Sequence, residues 1–189
     1  MDQYLAQQEA LYEAVKSVNP DIPVVLASFA SMTLDELINQ KGPGHEFAVK
    51  YITQLLTQGK YEAIDLHFYG CVKDIPTKIE AVKNLLPTDQ PFTWISTENG
   101  GPDFLRCKNT PVSWKDDQTE YEQEQARQVP LRLSACADNG GRICLWFALF
   151  DLKKGSEVFT HLGLLDQGVT PPREKPAYEA YKVFIAQQK

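Results

Sequence analysis

Four apolar runs, residues 24–29, 62–69, 92–98 and 142–151, alternate with segments of helical period, and this alternation restricts the chain to few folds. Residues 3–18 carry Tyr4, Leu5, Leu11, Val15 and Val18 at spacings of three, four and seven, which predicts a helix ended by NPDIP. After the first strand, residues 31–40 and 45–59 are helical in pattern. After the second, residues 75–86 form a helix stopped by Pro87. Asp117 with Glu120 three residues on resembles a capping box, and Ala126, Val129, Leu133 and Cys136 share one face of the helix that follows, where Pro130 is expected to introduce a kink. Residues 152–172 read as a long loop. A closing helix over 174–188 carries Ala177, Tyr178, Tyr181, Phe184 and Ile185 as its apolar stripe.

The strands are apolar nearly throughout instead of cleanly alternating, as in parallel sheets covered by helices. A helix followed by four parallel strand-helix units fits either an open doubly wound sheet or part of a (β/α) barrel. The nucleotide-binding form of the open sheet needs a glycine-rich turn after a strand. Here GPGHEF does not follow a strand and DNGGR precedes one, so no phosphate loop is present.

Composition narrows the function. With 43% hydrophobic residues, 189 residues can bury one core, so a single domain over residues 1–189 is expected. The 25 acidic residues outnumber the 19 basic ones, and no basic cluster is interleaved with aromatics, which argues against a nucleic-acid partner. No run approaches the length of a membrane span, and the N-terminus has no apolar signal region. Cys71, Cys107, Cys136 and Cys144 lack metal-ligand spacing and are expected to be reduced thiols; neither a metal nor a cofactor is expected.

In a barrel, chemistry collects where strands meet the following loops. His67 and Tyr69 end the second strand, Glu98 the third, and Trp146 and Asp151 the fourth. Spacing by two places Asp65, His67 and Tyr69 on one side of their strand, and Ser96 with Glu98 on one side of theirs. His45, His161 and Asp151 are expected to serve turns and caps.

These residues resemble a known family. ISTENGG is similar to the nucleophile strand of the clan A retaining glycoside hydrolases, (β/α)8 TIM barrels whose seventh strand ends in Thr-Glu-Asn-Gly or a close variant. DLHFYG resembles their sixth strand and RICLWFALFD their eighth. HLGLLDQG with REKPAYEAYK is similar to the common ending of the clan, and β-glucosidase-like, xylosidase-like and cellulase-like members all remain open. The resemblance implies Glu98 as nucleophile, with His67, Tyr69 and Asn99 around it and Trp146 as the floor of a sugar site. Trp114 is either a subsite wall or a pin for its own loop.

The same resemblance implies that strands one to four are missing, and with them the acid/base glutamate of an Asn-Glu pair. A retaining glycosidase needs two carboxyls about 5 to 5.5 Å apart. The expectation is therefore half of a TIM barrel with Glu98 but without its general acid, whose activity is weak or lost. The alternative is a non-catalytic carbohydrate-binding or interaction protein of the same descent. Open edge strands attract partners, so a homodimer through the barrel edges is also expected.

Overall fold

The computed structural model describes residues 1–107 and 113–188. Helix α1 (Asp2–Val18) precedes β1 (Val25–Phe29), and α2 (Ser31–Ile38) and α3 (His45–Gln58) lead to β2 (Ala63–Leu66). A 3-10 turn, Val72–Asp74, and α4 (Ile75–Lys83) connect to β3 (Trp94–Asn99); α5 (Gln118–Asp138) connects to β4 (Cys144–Trp146). The four strands form one sheet in the order β1-β2-β3-β4, and each adjacent pair is parallel. This is the expected helix plus four parallel strand-helix units.

Residues 152–172 are more structured than a loop. They contain the short helix α6 (Glu157–Thr160) and β5 (Leu165–Asp166), which pairs antiparallel with β6 (Arg173–Glu174) before α7 (Pro176–Gln187). These elements are too short for periodicity to reveal them. The fourth strand is shorter than its apolar run, because the chain leaves the sheet after Trp146. Helix α5 runs from Gln118 to Asp138 with Pro130 inside it, and its start is capped by the Asp117 carboxylate, which accepts from the Glu120 N–H at 2.9 Å.

The main core lies between the sheet and α2, α3 and α4, where Leu26, Phe29, Ile52, Leu55, Ile64 and Trp94 are fully buried. A second core joins β4, α5 and α7 through Val129, Leu133, Trp146, Leu164 and Ala177. At about 25 cal/mol per Å² of apolar surface, these two clusters supply the main favourable term of folding. Every residue of β2 is buried, as expected for an inner strand, whereas β1 exposes Val25 and Ala27. The expected stripe of α1 splits: Leu5 and Val15 are half-buried, but Leu11 is 57% and Val18 84% exposed.

The thiols are not free. Cys71 pairs with Cys107, with Cα atoms 4.8 Å apart, and Cys136 pairs with Cys144 at 6.2 Å. The first pair joins the loops that follow β2 and β3; the second joins the end of α5 to the start of β4. The parallel pair β2–β3 brings the first two positions together across 36 residues, and the short α5–β4 connection brings the second two together across 8. Spacing alone therefore could not reveal the pairing.

Candidate active site

The site is built on the C-terminal ends of β2 and β3. Tyr69 Oη–H donates to Glu98 Oε2 at 2.9 Å, and His67 Nδ1 lies 3.3 Å from the same oxygen. The Glu98 side chain is 35% exposed and His67 is 16% exposed, so both reach the surface. The other imidazole nitrogen, Nε2, lies 3.2 Å from Asp65 Oδ2. Asp65 is buried and also accepts from the Ser28 hydroxyl at 2.5 Å, the Thr97 hydroxyl at 2.5 Å and the Thr97 N–H at 2.9 Å.

Electrostatics follow from these contacts. Burial alone would raise the Asp65 pKa, but the bonds from His67, Ser28 and Thr97 outweigh it and hold the carboxyl at about 2. Asp65 is therefore an anion at neutral pH that fixes one side of the His67 ring. Burial, the Glu98 charge and the bond to Glu98 all push the Tyr69 phenol up, so it remains a proton donor.

The turn after β2 is clamped by buried side chains that sequence reasoning missed. Tyr69 N–H donates to Ser31 Oγ at 3.1 Å, and Gly70 N–H donates to Asp103 Oδ2 at 3.2 Å. Lys78 Nζ donates to the Tyr69 carbonyl at 3.2 Å, and Arg132 Nη2 donates to the Gly70 carbonyl. Gly70 has φ 76, a left-handed conformation that side chains rarely adopt. Lys78 and Arg132 are both fully buried; Lys78 shares a helical face with Ile75, Ile79 and Val82, and Arg132 with Val129, Leu133 and Cys136. A cation inside an apolar stripe was the signal available.

The expected alternation along β3 fails at its end. Ser96 is fully buried while Glu98 reaches the surface, because the register with β4 shifts between Ser96 and Asn99. That irregularity re-aims the carboxylate. Gly100 is followed by Gly101, yet neither has positive φ; a Cβ on Gly100 would lie 2.8 Å from the Phe147 carbonyl, and one on Gly101 would overlap Gln128 and Arg132. The two glycines permit close approach of Phe147, Gln128 and Arg132.

Three further residues sit elsewhere than expected. Asn99 is fully buried, and its amide donates to the Arg132 carbonyl on α5 at 3.3 Å, away from the mouth. Trp146 is 7% exposed and packs in the second core, with its indole N–H bonded to the Leu162 carbonyl at 2.9 Å. The residue expected as sugar floor is thus packed against α5 and α7. The next residue, Phe147, is half-buried beside Tyr69, with ring centroids 6.5 Å apart. Tyr69 is also braced edge-on by Phe159 at 4.9 Å.

Trp114 stacks face to face on His161 at 4.0 Å and edge-on against Tyr121 at 5.7 Å, with Lys175 Nζ over its ring. It borders a cavity of about 360 Å³ together with Asp151, His161 and Asp166; Glu98 is not among the lining residues. These contacts fit the pinning role and leave Trp114 outside the Glu98 cluster. Asp151 accepts from Lys175 Nζ at 2.7 Å and from Gly163 N–H at 2.9 Å, an anchor for the segment before β5. Burial raises the Asp151 pKa and lowers that of Lys175, each partly offset by the other. His45 Nδ1 lies 3.3 Å from the Glu36 carbonyl, at the start of α3. Among the described residues, no group of three His, Cys, Asp or Glu side chains is arranged to hold a metal ion, and no helix is long and apolar enough to cross a membrane.

Neither a protein-family model nor a curated protein matches this chain. Solved structures do. The catalytic core of xylanase A superposes with a TM-score of 0.60 at 13% identity, over 94% of this chain and 54% of that one. The GH53 catalytic domain of Ignisphaera aggregans gives 0.57 at 20% identity, over 93% and 50%. A GH39 beta-xylosidase from Caulobacter crescentus gives 0.56 at 15%, over 97% and 37%. The chain spans about half the length, or less, of these structures. Its fold is that of half a TIM barrel, a fold it shares with these glycoside hydrolases.

Proposed function

We propose that this chain carries the nucleophile half of a retaining glycoside hydrolase site, with a saccharide as substrate and Glu98 as the attacking carboxylate. The observation that carries this reading is the convergence of Tyr69 Oη and His67 Nδ1 on one oxygen, Glu98 Oε2, at the end of a parallel strand. Among the described residues both contacts fall on Oε2, which leaves Oε1 for the anomeric carbon.

The bond made is from a Glu98 oxygen to the anomeric carbon, and the bond broken is the glycosidic C–O bond, whose electron pair leaves with the aglycone oxygen. Tyr69 stays protonated, steadies the carboxylate before attack and can follow the charge as it is spent. His67, held by Asp65 from behind, fixes the carboxylate plane. Phe147 takes the position of apolar floor that Trp146 does not fill.

The leaving oxygen still needs a proton. Neither other carboxylate of the cluster can supply it: Asp65 is saturated with donors and ionised, and Asp103 is buried with its oxygens bonded to Gly70 and Arg106 N–H groups. A missing general acid costs about 10²- to 10⁴-fold, so turnover in this chain is confined to aryl glycosides with good leaving groups. On a dinitrophenyl glycoside, Glu98→Gln is expected to lower the rate at least about 10³-fold. Equal rates in both proteins would refute the enzymatic reading. The absent acid favours a second reading, a sugar-binding protein without turnover; saccharide binding retained by Glu98→Gln, with no hydrolysis by the parent chain, would establish it.

A further inference from the structure

Of the side chains that hold the Tyr69–Gly70 backbone, Arg132 also reaches the other side of the site. Its guanidinium donates to the Gly70 carbonyl, and its own backbone carbonyl accepts from Asn99 Nδ2 at 3.3 Å. Gly70 follows Tyr69 and Asn99 follows Glu98. One residue of α5 is therefore bonded to the immediate neighbour of each partner in the Tyr69–Glu98 hydrogen bond.

The guanidinium is aimed by its own helix. Glu124, Gln128 and Arg132 succeed one another four residues apart, so they share one face of α5. The Glu124 carboxylate accepts from Gln128 Nε2 at 2.6 Å, which turns Gln128 Oε1 toward Arg132 Nε at 3.0 Å. Gly101 leaves the space that the guanidinium occupies, because a Cβ there would overlap Gln128 Oε1 and both Nε and Nη2 of Arg132. Asp103, itself buried, accepts the Gly70 N–H at 3.2 Å, so an anion holds one polar group of Gly70 and a cation holds the other.

Stability alone is a poor account of this arrangement. Arg132 is fully buried, and burial pulls its pKa down to about 10 against the opposing charge of Asp103. Among the described residues its Nη1 has no hydrogen-bond partner. A desolvated cation with an unpaired donor is an unfavourable way to fix a turn. A reacting pair, in contrast, must be held within about 0.5 Å and about 10–20°, and the Tyr69 phenol magnifies any tilt of the backbone that carries it.

We propose that Arg132 is a positioning residue: by holding Gly70 beside Asn99, it sets where the Tyr69 phenol meets the Glu98 carboxylate. The catalytic consequence rests on the Glu98 reading; the geometric claim does not. Replacing the Arg132 side chain leaves its carbonyl bond to Asn99, so the effect on Glu98 passes through Tyr69.

Two variants release the Gly70 carbonyl by different routes. Arg132→Lys keeps the charge but lacks the planar fork that spans Gln128 and Gly70. Gly101→Ala alters no charge and pushes the guanidinium aside. With tyrosine labelled at its ζ-carbon, the Tyr69 NMR signal is the one missing from Tyr69→Phe, and Glu98→Gln is expected to shift it in the parent chain. That shift should be lost in both variants. No shift in the parent, or a shift retained in full by either folded variant, would overturn the proposal; failure of both variants to fold would assign Arg132 to the fold and overturn it equally. On a dinitrophenyl glycoside, Arg132→Lys should lower kcat/KM about 10-fold in the parent, the loss expected of Tyr69→Phe, and leave it unchanged where Tyr69 is already Phe. Equal losses in the two backgrounds would mean a role that does not act through Tyr69 and would also overturn it. A parent without turnover whose NMR shift is lost in both variants would fault the Glu98 reading alone and support the positioning role.

Discussion

Replacing Asp65 with Asn removes the charge at the centre of the site and keeps its shape. The carboxylate is buried and accepts four hydrogen bonds, and its pKa is lowered from 3.8 to about 2. At 1.36 kcal/mol per unit, that depression corresponds to roughly 2.5 kcal/mol of folding stability. The folded pKa is below the unfolded one, so this contribution is complete above about pH 5 and disappears as pH falls through 2. The amide also confronts two hydroxyl donors with an NH₂ group, and the expected cost at pH 7 is about 2–4 kcal/mol. Urea unfolding followed by tryptophan fluorescence at pH 7, 4 and 3 measures both proteins. The parent-minus-variant difference should shrink by about 1 kcal/mol between pH 7 and 3. A difference that is constant over that range, or below about 0.5 kcal/mol at pH 7, would refute the claim that Asp65 is held ionised by its donors.

Other consequences can be checked directly. Thiol titration of the unfolded, non-reduced protein should find no free thiol, and four would remove both disulfides from the account; a Cys71→Ser, Cys107→Ser pair should lose about 4 kcal/mol of stability by the chain-entropy relation. Trp146→Ala should cost about 3–5 kcal/mol because it empties a core position, while Phe147→Ala should weaken saccharide binding with a smaller stability loss; the reverse pattern would restore Trp146 as the sugar floor. Tyr69→Phe should leave the fold intact and reduce aryl glycoside turnover about 10-fold or more, measured as kcat/KM, and unchanged turnover would separate the phenol from the nucleophile.

The arrangement of helix and strands was legible because the parallel sheet writes its inner strands as apolar runs and its helices as 3.6-residue stripes. That Glu98, His67 and Tyr69 lie together was legible for a related reason: they sit at the ends of neighbouring, otherwise apolar strands. Asn99 and Trp146 were misplaced because side-chain parity at a strand end depends on register, and the shift between Ser96 and Asn99 breaks the count of two. Phe147 was hidden by the same effect one strand later. The cysteine pairs depend on which loops the fold brings together, information that spacing does not hold. Lys78 and Arg132 looked like ordinary helix cations; only their position within apolar stripes hinted that they point inward to clamp the Tyr69–Gly70 turn.

The central claim, that Glu98 is a nucleophile held by Tyr69 and His67, is tested most directly by covalent trapping. A 2-fluoro-substituted glycoside with a dinitrophenolate leaving group needs no protonation, so the absent acid does not prevent the first step. Peptide mass spectrometry after incubation is predicted to find one glycosyl adduct, on the peptide containing Glu98, and none in Glu98→Gln. An adduct on another residue, or no adduct on a folded protein that demonstrably binds the same sugar, would contradict the account.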